Sequence, residues 1–144
     1  MIATANDVSR LPPELLRKGR WDEVFFVDLP THLERLDILG VHLRARRRDP
    51  IAFNLAALAT LTVGFSGAEL EAVIVEALTR AFDDGARDLT DADLVAAVAE
   101  TVPLCVTMAE RVQTLRQWAR GRTRLASTPE RAPSDRTGST RMVD

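Results

Sequence analysis

The 144 residues contain no tyrosine, a single lysine (Lys18) and a single cysteine (Cys105). One thiol excludes an internal disulfide framework and a cysteine-based metal centre, and it fits a reducing, cytoplasmic setting. No metal site is expected. No apolar run approaches the roughly 20 residues that span a bilayer, so no membrane partner is expected. Met1–Thr4 lacks the basic start and the long apolar stretch of a secretory signal. Charge of one sign is also lacking. The 19 basic and 21 acidic residues nearly cancel to −2, which leaves no overall field to draw in nucleic acid or an anionic membrane. The scarcity of lysine has a further consequence. No Gly-x-x-x-x-Gly-Lys-Ser/Thr stretch occurs, and no acidic pair ends an apolar strand. Phosphoryl transfer needs a backbone cradle, a lysine and a held magnesium ion, and this chain has no means to build them alone.

What is present is mainly helical. Thr31 with Glu34, Ser66 with Glu69, and Thr107 with Glu110 have the spacing at which a hydroxyl and a carboxylate cap a helix start reciprocally. Thr90 with Asp93 is a weaker version. A helix is predicted over about Leu33–Arg46, with Leu36, Leu39 and Leu43 along one face. A short one follows near Asn54–Leu61. Leu70, Val73, Ile74, Ala77, Leu78, Ala81 and Phe82 form the best apolar stripe of the chain, with Gly85 as its stop. Leu94, Val95, Val98 and Val102 line a fourth helix that Pro103 ends, and Val112, Leu115 and Trp118 line a fifth. Met1–Ala5 and Glu23–Asp28 (EVFFVD) read as two short strands. An apolar strand such as EVFFVD needs neighbours, and two strands alone make a poor sheet. This pattern points to a piece of a larger protein. Its expected divisions are residues 1–30 (the end of an α/β core), 31–125 (a helical bundle) and 126–144 (a disordered tail with almost no apolar content).

Ile2-Ala3-Thr4-Ala5-Asn6-Asp7, followed by Leu11-Pro12-Pro13-Glu14-Leu15-Leu16-Arg17-Lys18-Gly19-Arg20-Trp21-Asp22, resembles the second region of homology of AAA+ ATPases. Gly64-Phe65-Ser66-Gly67-Ala68-Glu69-Leu70 resembles the motif of their helical lid. Ile38-Leu39-Gly40-Val41-His42 stands between them, in the family's order. The likeness covers roughly residues 1–100. Leu115–Ser127 is similar to a bacterial and plastid AAA lineage.

The resemblance implies roles for individual residues. Asn6 matches the polar sensor that orients the attacking water; an amide both donates and accepts hydrogen bonds. Arg17 and Arg20 match the paired arginine fingers that reach a neighbouring subunit's site, where a guanidinium can grip a phosphoryl group. Lys18 between them falls where the family varies. Ile38 and His42, one turn apart, match positions that contact the adenine and ribose. Gly67 and Ala68 match the close backbone approach to the nucleotide. The cofactor implied is ATP with Mg2+ in a longer protein. The implied partners are further AAA+ subunits in a ring-like homo-oligomer, and a protein client. Each residue also has a plainer reading: a turn asparagine, solvated arginines, a structural histidine, a capped helix start. Two other functions stay open. One is a non-catalytic helical module docked on a partner AAA subunit. The other is a nucleic-acid binder using Arg44, Arg46, Arg47 and Arg48, although such a cluster at a helix end also complements the helix dipole. Cys105 is expected to be a small buried apolar residue.

Overall fold

A computed structural model describes residues 2–5, 12, 14, 19 and 22–127. Among the described residues, six helices and two very short strands follow one another: β1 (Phe25–Phe26), α1 (His32–Ala45), α2 (Leu55–Leu61), α3 (Gly67–Asp83), α4 (Asp91–Glu100), α5 (Leu104–Thr107), α6 (Ala109–Ala119) and β2 (Arg124–Leu125). A 3-10 turn at Pro50–Ala52 leads into α2. The molecule is thus mainly helical, as the periodicity predicts.

Three capping boxes set the register of the bundle. Thr31 opens α1, Ser66 opens α3 and Thr90 opens α4, each with its reciprocal carboxylate in place. The third is stronger than its sequence suggests. Asp93 accepts from the Thr90 amide at 2.9 Å and also takes both ends of the Arg87 guanidinium at 2.7 Å. The fourth expected box does not form. Thr107 is already the last residue of α5, and its hydroxyl turns back to the Leu104 carbonyl. Met108 joins α5 to α6 without a side-chain cap.

Leu39 and Leu43 of α1, Leu58 of α2, Leu70, Val73, Ile74 and Ala77 of α3, and Leu94, Ala97 and Val98 of α4 close into one core with Phe65 and Leu89. Helix α3 is its centre, packed on α1 along one side and on α4 along the other. The predicted stripe fails at its ends. Phe82 is 72% exposed, and Val102, beyond the end of α4, is 61% exposed. Val112, Leu115 and Trp118 are only half-buried, so α6 lies on the bundle's periphery. Cys105 is half-buried rather than buried.

The strand expectations need two corrections. Residues 2–5 are exposed and carry no strand, because no described backbone lies alongside to take their hydrogen bonds. Phe25–Phe26, by contrast, does find a neighbour within the chain. It pairs in parallel with β2, Phe25 opposite Arg124 and Phe26 opposite Leu125. The distance of almost a hundred residues between these partners hides the pairing from any local pattern. The expected tail from residue 128 onward lies outside the described residues.

Candidate functional site

Asn6, Arg17 and Arg20 lie outside the described residues. The other four site positions lie on α1 and α3, and of these Ile38 and Gly67 meet at the seam between the two helices. Ile38 and His42 are one turn apart on α1, and Gly67 opens α3. The Ile38 Cδ1 atom lies 3.9 Å from the point that a Cβ on Gly67 would occupy. The two helices therefore approach closely here, although an alanine at 67 would make only ordinary contact. Ala68 follows on the exposed side.

One turn further along both helices the seam becomes ionic. The His42 Nδ1 atom is 3.6 Å from Glu71 Oε1, and Arg46 Nη2 donates to the same oxygen at 2.8 Å. Arg46 Nη1 also donates to the His42 carbonyl at 3.2 Å. The Arg46 hydrogen bond, aided by the His42 charge, holds the Glu71 carboxyl below its ordinary range. Glu71 thus stays anionic and orients the Arg46 guanidinium beside His42. Nothing local marks this glutamate in the sequence. It becomes legible only once α3 is laid against α1 with Gly67 opposite Ile38.

The start of α3 is incompletely satisfied. Ser66 Oγ accepts from the Glu69 amide at 3.3 Å, and Glu69 Oε2 accepts from the Ser66 amide at 2.7 Å. The amides of Gly67 and Ala68 have no acceptor among the described residues. Two free N–H groups at the positive end of a 17-residue helix suit a nearby anion. The loop before them is constrained. Gly64 has φ +83°, and a Cβ there would lie 2.2 Å from Cys105 Sγ. Only glycine lets α5 seat against this loop.

Two further residues escaped the sequence reading. Arg35 is buried at 2% exposure; its Nε donates to the Ala59 carbonyl at 2.9 Å and its Nη1 to the Pro30 carbonyl at 2.7 Å. It ties α1 to α2 and to the residue before the α1 cap. Its one signal was position, four residues before Leu39 on the buried face. Glu34 was read only as a capping residue. Its carboxyl is also lowered in pKa, first by a hydrogen bond from Ser127 and then by Thr31. Of the arginine cluster, Arg46 is paired with Glu71 and Arg48 with Asp88.

Ile38, the His42 imidazole and two free amides have the chemistry to meet the base, sugar or an anionic group of a nucleotide. The described residues include no group of three His, Cys, Asp or Glu side chains that could hold a metal ion. None of the described helices is by itself long and apolar enough to cross a membrane.

Residues 52–96 match the family model of the AAA+ lid domain. The chain belongs to the AAA+ ATPases, as a C-terminal portion carrying that lid. Among its relatives, the uncharacterised AAA-domain protein ycf46 of Pyropia yezoensis is 43% identical over 129 residues, or 88% of this chain and 26% of the relative. Its counterpart in Guillardia theta is 43% identical over 129 residues, 88% of this chain and 25% of the relative. The proteasome-activating nucleotidase of Aeropyrum pernix is 44% identical over 98 residues, 68% of this chain and 24% of the relative. The chain spans about a quarter of the length of these curated relatives.

Proposed function

We propose that this chain supplies the sensing, trans-acting and lid half of an ATP-hydrolysing AAA+ machine, and that it does not hydrolyse ATP alone. The α1–α3 seam carries this reading. Ile38 faces the start of α3, where Gly67 and Ala68 leave two amides free, and His42 meets Glu71 one turn further along. In the assembled site, Ile38 and His42 would contact the adenine and ribose, and the amides of Gly67 and Ala68 would approach the nucleotide. ATP with Mg2+ supplies the reacting phosphoryl group; the cradle that holds it is the phosphate-binding loop that this sequence lacks. Asn6 would orient the attacking water. Arg17 and Arg20 would reach into a neighbouring subunit's site within a ring-like homo-oligomer acting on a protein client. The carboxylate partners of Arg46 and Arg48 support a dipole-complementing role for that cluster rather than nucleic-acid contact.

The test is a set of turnover and affinity measurements. The purified chain should show no ATP turnover. Joined downstream of an AAA+ core with a phosphate-binding loop and an acidic pair, it should support turnover. There, Arg17→Ala should lower the rate by ~10³-fold or more, and His42→Ala should weaken nucleotide affinity several-fold. Unchanged turnover in the first variant and unchanged affinity in the second would overturn the assignment.

A further inference from the structure

The last segment of the described chain touches both sides of the linker Leu29–Thr31, which separates β1 from the helical bundle. On the bundle side it begins with Cys105 seated against Gly64. On the strand side it makes four contacts. The Arg124 amide donates to the Val24 carbonyl and the Ala126 amide to the Phe26 carbonyl, each at 2.9 Å. Arg116 Nε meets Asp28 Oδ2 at 2.9 Å, and Arg124 Nη1 meets Glu23 Oε1 at 2.7 Å. Within this linker the Pro30 carbonyl is already held to α1 by Arg35, so the torsions at Leu29, on the strand side, are the ones a bridge must fix.

We infer that the segment from Leu104 to Ser127 is a strap that closes across the Leu29–Thr31 linker and fixes the helical bundle's orientation relative to the Glu23–Asp28 strand. The inference stands apart from the nucleotide reading, since it uses no residue of the α1–α3 seam. Rotation about the linker requires the β1–β2 pairing and both ion pairs to part together. The ion pairs are exposed, and each alone contributes little. Together with two backbone hydrogen bonds they make a latch that can open without disturbing the bundle core, because no core side chain belongs to it. Such a latch has the character of a low-stability element able to open on its own.

The test uses the full chain with Cys105→Ser and spin labels at Val27→Cys and Val75→Cys, which lie on opposite sides of the linker and are 76% and 43% exposed. With the strap intact, the label distance should form one narrow distribution. Ala126→Pro removes a strand donor and should broaden or split it, while the helical circular dichroism melt stays in place. Should that variant disturb the bundle, charge reversal provides a second route. Asp28→Arg and Arg116→Asp should each speed exchange of the Ala126 amide about 2- to 5-fold, and the double swap should restore it. A broad distribution in the intact chain overturns the strap. So does a narrow one that persists after the Ala126 amide has lost its protection, or exchange that no swap alters.

Discussion

The helical bundle and the strand layer of this protein are stabilised differently. In the bundle, apolar side chains at three- and four-residue spacing are fully buried, and each major helix start is closed by its own hydroxyl and carboxylate. In the strand layer, Phe25 and Leu125 are 57% and 50% exposed, and the chain is held by two-residue strands and surface ion pairs. The bundle therefore draws on area removed from water, whereas the strand layer draws on hydrogen bonds and charges that compete with solvent. Local helix signals gave a bundle that could be read residue by residue. The strand layer depends on partners far apart in the chain, and it is where the sequence reading went astray.

Core truncation should break the comparison most strongly. Leu70→Ala, in the first turn of α3, should cost ~2–5 kcal/mol by chemical denaturation, since it leaves a cavity among residues already packed. A smaller loss would mean that the core collapses around the hole. Gly64→Ala comes next, because it combines a left-handed backbone with a Cβ placed on Cys105 Sγ. A loss of ~1–3 kcal/mol is expected. Adding Cys105→Ala should recover part of it but not the backbone component, and full recovery would show that the backbone conformation is unstrained.

Removing the α4 cap with Thr90→Ala should cost ~0.5–2 kcal/mol in the same assay. Its partner Asp93 gives a pH signature. The Arg87 guanidinium first, and then Thr90, hold the Asp93 carboxyl far below its ordinary value of 3.8. A carboxyl whose folded pKa is depressed stabilises the fold above its unfolded value and loses that contribution as the pH falls through the folded one. The stability advantage over Asp93→Asn should therefore be constant at neutral pH and shrink once the pH drops below about 3.8. A pH-independent difference would remove the ion pair from the account. The smallest effect is expected in the strand layer. Arg116→Ala should change global stability by under ~1 kcal/mol, while the amides of β1 exchange faster than those of α1, α3 and α4. Equal protection of the two regions would erase the contrast.

Part of the site was legible in the same uneven way. Ile38, His42, Gly67 and Ala68 are proposed from motif order, and the bundle brings Ile38 to Gly67. Glu71 and Arg35 were not found. A glutamate and an arginine in a helix carry no mark of their partners on other helices: His42 and Arg46 stand 29 and 25 residues from Glu71, and Ala59 stands 24 from Arg35. Asn6, Arg17 and Arg20 rest on the family likeness alone.

By itself the sequence determined where most helices begin, which face of α3 is buried, and that the phosphate cradle is missing. These follow from local capping, 3.6-residue periodicity and the presence or absence of a short motif. Tertiary structure alone decided three matters. Thr107 ended one helix instead of opening the next, Glu71 took His42 and Arg46 as partners across the α1–α3 seam, and Phe25–Phe26 paired with Arg124–Leu125. In each case the deciding contact is made by a neighbouring element, whose position is set by the packing of the whole bundle.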